Sequence, residues 1–332
     1  MKKFINQPEN VVLEALEGFA KAHGDLTVYN SEPRFVRRRN LKERGKVALI
    51  SGGGSGHEPL HIGFVGEGML DAACPGEVFT SPTPDQMVAA AEAVHRGGGV
   101  LFIVKNYAGD VMNFEMAAEM VEGEIETATV LVTDDVAVEE STYSQGRRGV
   151  AGTVVVEKIV GAAAERGVDL KGCERLGQKV VERTGSMAVA LSSCTVPAAG
   201  TPTFQLGENE MEWGVGIHGE PGRKRIEFLP ADDIARRLVE AILEDLTPSP
   251  NTPLLLFVNG LGGTPLMELY ILYRAAAQFL EEKGFEIARS LVGSFCTSLE
   301  MAGASITLTL LDDELIELWD APVLTPALRW QK

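Results

Sequence analysis

The chain has 332 residues, 45% of them apolar, and a formal net charge of −17. That length supports two domains with well-buried cores, and the acidic balance disfavours nucleic acid or an anionic membrane as partner, because both need basic patches. The four cysteines, Cys74, Cys173, Cys194 and Cys296, lie far apart without a C-x-x-C, which favours reduced thiols over a disulfide frame or a zinc knuckle.

Met1-Lys2-Lys3-Phe4 leads into Asn6-Gln7-Pro8-Glu9 without an apolar h-region, so no signal peptide is expected. No apolar run reaches membrane-spanning length, and a cytoplasmic protein is expected. Residues 46–50 read as a buried strand ending in a glycine loop, and the alanine-rich stretch 84–95 as a helix. Residues 100–104 form a second buried strand, followed by a loop and a helix from about 111 to 122. Residues 129–133 are a third strand and 152–166 a helix. This alternation predicts an α/β fold with a largely parallel sheet, whose sites form at the carboxyl ends of the strands. Farther on, 187–191 and 211–217 read as strands and 234–246 as an amphipathic helix. The loop Thr247-Pro248-Ser249-Pro250-Asn251-Thr252-Pro253 cannot be crossed by a helix. A strand at 254–258, a tight loop at 260–265, a long helix at 266–283 and an alternating strand at 305–310 follow. Two α/β domains are expected, each a mixed, largely parallel sheet flanked by helices, at 1–184 and 185–332.

Two glycine-bracketed segments each present a histidine and then Glu-Pro: Gly52-Gly53-Gly54-Ser55-Gly56-His57-Glu58-Pro59 and Gly214-Val215-Gly216-Ile217-His218-Gly219-Glu220-Pro221-Gly222. Glycine lets a ligand approach backbone closely, and histidine supplies a nucleophile, base or ligand near neutral pH. One small-molecule site built from both halves is the simplest reading. His57-Glu58-Pro59-Leu60-His61 matches H-E-x-x-H, but that pattern binds zinc only when a helix puts both histidines on one face. Proline belongs to a helix's first turn, so His57 falls in the loop before it, and no metal site is read. His57 stands where a dinucleotide fingerprint needs glycine or alanine and where G-x-S-x-G needs glycine, which weakens a serine hydrolase built on Ser55. No Walker A loop occurs.

Four residues remain that could converge. His57 and His218 come from the two glycine segments; Lys105 ends a strand and Asp110 ends the loop after it. Each has a plain alternative. Asp110 directly precedes a helix and could be its N-cap, Lys105 could be a solvated strand end, and His218 a surface turn residue.

Several stretches resemble the dihydroxyacetone kinase family, and most closely its substrate-binding K subunits. They are Ser51 to Pro59, Cys74-Pro75-Gly76-Glu77-Val78-Phe79-Thr80-Ser81-Pro82-Thr83-Pro84, Lys105-Asn106-Tyr107-Ala108-Gly109-Asp110, Gly146-Arg147-Arg148-Gly149, Gly214 to Gly222, and Leu318-Trp319-Asp320-Ala321-Pro322-Val323-Leu324-Thr325-Pro326-Ala327-Leu328. The likeness runs in order from Met1 to Lys332. It implies that His218 bonds the carbonyl carbon of dihydroxyacetone as a hemiaminal. It implies that His57 hydrogen-bonds the substrate and assists proton transfer, and that Asp110 is the base toward the hydroxyl that receives phosphate. Gly54, Ser55, Gly56 and Lys105 would line the pocket.

The resemblance also implies partners. In this family the phosphoryl donor sits on an L domain, fused behind the K domain or carried by a separate subunit. Here a separate L subunit with Mg-bound ADP or ATP is expected, with a phosphotransferase-system M subunit where phosphoenolpyruvate is the ultimate donor, and with no cofactor on this chain. A homodimer is expected from the family. The resemblance leaves dihydroxyacetone and other short keto sugars such as erythrulose open, and equally a triose-sensing regulator that docks onto a transcription factor. Such a regulator could keep His218 while losing His57 or Asp110; all three are present.

Overall fold

The computed structural model describes residues 2–42, 44–137, 146–220 and 222–330. Met1, Pro221 and Lys332, which belong to the family likeness, lie outside the described residues. In chain order the elements are α1 (Val11–Ala22), β1 (Thr27–Ser31), β2 (Arg34–Arg38), β3 (Ala48–Ser55), β4 (Ala72–Val78), α2 (Pro84–Val94), β5 (Val100–Lys105), α3 (Ala108–Met120), β6 (Thr127–Val132), α4 (Gly152–Glu165) and α5 (Leu170–Glu182). Then come β7 (Thr184–Ala190), β8 (Glu210–Trp213), β9 (Lys224–Glu227), α6 (Ala231–Leu246), β10 (Pro253–Gly260), α7 (Leu266–Glu282), β11 (Glu286–Gly293), β12 (Gly303–Leu310), α8 (Asp313–Asp320), β13 (Val323–Leu324) and β14 (Arg329–Trp330).

The described strands build two six-stranded sheets, ordered β1-β2-β4-β3-β5-β6 and β11-β10-β12-β7-β8-β9, and β13 and β14 pair as a separate two-stranded ribbon. The mixed α/β architecture is the expected one. In the first sheet β4, β3, β5 and β6 run parallel, and the antiparallel β1–β2 pair extends one edge. The second sheet departs from the largely parallel expectation: among the described residues only β10 and β11 are parallel, and every other pairing of its strands is antiparallel. A parallel neighbour requires a crossover of a dozen or more residues, and α7 supplies the one such crossover between adjacent strands here.

Side-chain alternation shows how the layers stack. In the first sheet Leu49, Leu101, Ile103, Val130 and Val132 face α4 and α5, while Ala48, Ile50, Val100, Phe102 and Val104 face α2 and α3. In β10, Leu255 and Phe257 join the core around α4, while Leu254, Leu256 and Val258 face α6 and α7. Helix α4 therefore lies in a layer between the two sheets, and its residues from Gly152 to Ala164 are buried all round. Helix α8 closes the same core with Leu315, Leu318 and Trp319.

Three local readings change. The glycine segment Gly52–Gly54 is not a loop but the end of β3, paired to β4 through Gly52 with Cys74 and Gly53 with Pro75. Its neighbours demand glycine: a Cβ on Gly54 would sit 2.6 Å from the Thr80 nitrogen and 2.7 Å from the Phe79 Cα. Helix α3 begins at Ala108, so Asp110 lies in its first turn, where the helix dipole favours a carboxylate, and is not its N-cap. Strand β8 ends at Trp213, leaving residues 214–220 free to bring His218 to the other half. No helix among the described residues is long and apolar enough to cross a membrane.

Candidate active site

The parallel strands β3 and β5 end side by side, and their carboxyl ends carry His57 and Lys105 to the same edge of the sheet. His57 is fully buried. The turn after β11 is stitched to it: the Thr297 amide donates to the His57 carbonyl at 3.2 Å and the Leu299 amide to the Gly56 carbonyl at 2.8 Å. The His57 ring stacks on Phe79, with centroids 5.1 Å apart and planes at 17°. Its Nδ1 lies 2.8 Å from the Thr297 carbonyl oxygen and its Nε2 lies 3.1 Å from His218 Nε2.

His218 comes from the other half and reaches this ring by a braced turn. Its backbone amide donates to Glu220 Oε2 at 2.7 Å. Glu220 Oε1 accepts from Arg148 Nη1 at 3.3 Å, and Arg148, only 1% exposed, also donates to Asp135 Oδ2 and to the Gly214 carbonyl. The His218 ring meets Tyr107, Phe79 and His57 edge to face, at centroid distances of 4.4, 5.4 and 4.6 Å. An aromatic wall thus flanks the nitrogen pair.

These contacts decide where the ring protons sit. A carbonyl only accepts, so His57 Nδ1 carries the proton and donates it to Thr297. Burial holds His57 well below the usual imidazole range, and the neighbouring His218 and Lys105 charges push the same way. Burial, with Lys105 and Arg148, brings His218 down to about 3. Both rings are neutral at physiological pH. His57 Nε2 is then a bare acceptor, and His218 Nε2–H is the donor between them.

Lys105 is not a solvated strand end; it is fully buried. Its ammonium reaches His61 Nε2 at 2.9 Å, the Gly52 carbonyl at 3.2 Å and Asp110 Oδ2 at 3.5 Å. Asp110 is 2% exposed, and its Oδ1 has no partner among the described residues. Gly53 is the residue that makes this approach possible. A Cβ there would stand 2.2 Å from Lys105 Nζ and 3.4 Å from Asp110 Oδ2.

Of the residues singled out in the sequence, the structure gathers His57, His218 and the Lys105–Asp110 pair around one edge. The Ser55 hydroxyl donates to the Gly76 carbonyl at 2.7 Å and is unsuited to a hydrolase nucleophile. Gly54 and Gly56 pack against the Phe79–Thr80 segment. His57 and His61 share no helix face: the segment between them is a turn, and both His61 ring nitrogens have protein partners. Gly53, Phe79, Tyr107, Arg148, Glu220 and Thr297 escaped the sequence reading as site residues. Five of them lie inside quoted motifs, Gly53 directly beside the glycines chosen; Thr297 had no signal, being 240 positions from its partner.

The chain is similar to known proteins over its whole length. The Dak1 domain model matches residues 17–327. The chain is 48% identical, across 100% of both sequences, to the dihydroxyacetone-binding subunit of the PEP-dependent dihydroxyacetone kinase of Escherichia coli K12. The solved dihydroxyacetone kinase of C. freundii in complex with AMP-PNP and Mg2+ matches with a TM-score of 0.90 at 35% identity, covering 99% of this chain and 61% of that one. The dihydroxyacetone kinase operon co-activator matches with a TM-score of 0.89 at 33% identity, covering 95% of this chain and 97% of that one.

Proposed function

We propose that this chain, which belongs to the Dak1 family, is the dihydroxyacetone-binding subunit of a dihydroxyacetone kinase. It holds the triose on His218 and presents one hydroxyl for phosphorylation by a donor nucleotide on a separate subunit. The observation that carries this reading is the 3.1 Å contact between two neutral imidazoles with an assigned proton direction.

The covalent step balances on that contact. His218 Nε2 bonds to the substrate carbonyl carbon as its proton passes to His57 Nε2, and the C=O π pair moves to oxygen. His57, now an imidazolium held through Nδ1 by Thr297, returns the proton to that oxygen and leaves a neutral hemiaminal. Only a neutral imidazole can do this, which gives the depressed basicity of both rings a purpose. A polyol lacks the electrophilic carbon and is rejected. A triose has too few atoms to gain much affinity from contacts alone, and the bond supplies anchoring and orientation together.

Transfer of the phosphoryl group depends mainly on positioning and charge. Asp110 offers Oδ1 to the reacting hydroxyl as general base while Lys105 holds Oδ2. The same reading brings an L subunit with Mg-bound ADP or ATP, an M subunit linking it to the phosphotransferase system, a homodimer and a cytoplasmic location. A carboxylate with a free oxygen beside a buried lysine favours the kinase over the regulator, for which anchoring on His218 would suffice.

The test is an assay of the purified chain with dihydroxyacetone and Mg-ATP, alone, with an ATP-loaded L subunit, and with the full phosphoenolpyruvate relay. Product is expected only when an L subunit is present. Turnover by the chain alone would overturn the split-subunit reading.

A further inference from the structure

His61 is the histidine of the failed zinc motif, and it stands at the centre of a second buried array. Glu157, in the middle of α4, is fully buried, and its Oε1 lies 2.6 Å from His61 Nδ1. The Ser51 hydroxyl lies 3.0 Å from the same nitrogen and 2.6 Å from the Ile103 carbonyl. His61 Nε2 lies 2.9 Å from Lys105 Nζ. Four titratable groups, from α4, the turn after β3, the end of β5 and the first turn of α3, are thus joined in one line ending at Asp110.

Hydrogen-bond directions along this line are forced. An ammonium has three donors and no acceptor, and Lys105 faces three acceptors: His61 Nε2, the Gly52 carbonyl and Asp110 Oδ2. His61 Nε2 must therefore be bare. Burial keeps the His61 ring neutral, so its single proton is on Nδ1. On that side Glu157 Oε1, the nearer acceptor, takes this proton, while the Ser51 hydroxyl, beside both groups, donates to the Ile103 carbonyl. Glu157 Oε2 has no partner among the described residues, and a carboxyl so placed in a layer of aliphatic side chains opposes folding. Core packing alone does not explain it.

We propose that Glu157 and His61 are positioning residues for phosphoryl transfer. Glu157 fixes the His61 tautomer, and His61 aims the Lys105 ammonium at Asp110 Oδ2, so that Oδ1 is left to accept the substrate proton. This rests on the function proposed above, but concerns only its second half. Anchoring of the triose on His218 does not pass through these groups.

The experiment uses the full chain with its L subunit and compares His61→Gln, whose amide oxygen can still accept from Lys105, with His61→Met, which cannot. Mass spectrometry reads the triose adduct, steady-state kinetics reads kcat, and 15N spectra of the histidines read the His61 tautomer in the parent. The expected result is an adduct in both variants, a loss of kcat of at least about tenfold in His61→Met, recovery of most of it in His61→Gln, and Nδ1–H on His61. Equal loss in both variants would leave His61 a packing role and overturn the proposal, as would Nε2–H on His61 in the parent. The tautomer decides even if a variant does not fold. Absence of an adduct in the parent strikes the function proposal instead, so the two failures are distinguishable.

Discussion

The proton between His57 Nε2 and His218 Nε2, 3.1 Å apart, belongs to His218, because the Thr297 carbonyl engages the only proton His57 has. The nucleophile and the group that must relieve it of a proton are thus already aligned across the two halves of the chain.

His218→Ala should abolish the covalent triose adduct while the chain stays folded. The ring borders a site rather than a packed core and is 19% exposed at the side chain. Intact-mass analysis after borohydride-free incubation with dihydroxyacetone reads the adduct; an adduct that survives removes His218 as the anchor.

Asp110→Asn should keep the adduct and lose turnover by about 10²- to 10⁴-fold, the usual contribution of a general base. The amide preserves shape but cannot accept the proton and become neutral. Turnover within a few-fold of the parent, measured with the L subunit present, would assign the base elsewhere.

Stability should depend on pH through His218. Its folded value is about 3, held there first by burial, whereas an unfolded histidine titrates near about 6.5. Between these values the unfolded chain binds the additional proton, so this contribution is lost as pH falls below about 6.5, at about 1.4 kcal/mol per pH unit. His218→Asn removes that slope and should gain roughly 1.5 kcal/mol on the parent between pH 6.5 and pH 5. Urea unfolding at the two pH values measures it, and a difference that stays flat argues against a ring held neutral in the folded chain.

Arg148→Met should destabilise by about 3–5 kcal/mol, since Asp135 and Glu220 would be left buried without their cation. At this chain length that corresponds to a fall in Tm of roughly 4–7 °C. Loss of the clamp should also free His218, so adduct formation should weaken even at temperatures where the variant is folded. A loss below about 1 kcal/mol would show that the clamp is not a determinant of the site.

Gly54→Ala should destabilise by about 1–3 kcal/mol, because the new Cβ meets backbone of Phe79 and Thr80 that cannot rotate away. Thermal unfolding reads the effect, and a neutral substitution would mean that the end of β4 yields easily.

Much of this was legible in the sequence. Buried runs such as 100–104 and the Pro-started helix at 84 gave β5 and α2 nearly to the residue, since apolar continuity and N-terminal proline act locally. Strand β3 was read short, because its glycines lack β propensity and are held in the sheet only by their close pairing with β4. The largely antiparallel second sheet was not readable, as strand direction depends on which strands become neighbours.

The sequence by itself determined the α/β class and the family, and it put His57, Lys105, Asp110 and His218 forward, because the glycines around the two histidines and the strand end before Lys105 are local signals. Only the tertiary structure decided how they act. The Thr297 carbonyl that sets the His57 tautomer, the Arg148–Glu220 brace behind His218, and the Glu157–His61 line behind Lys105 all join residues 72 to 240 positions apart. Hydrogen-bond direction and desolvation are properties of such meetings, and no single stretch of chain contains them.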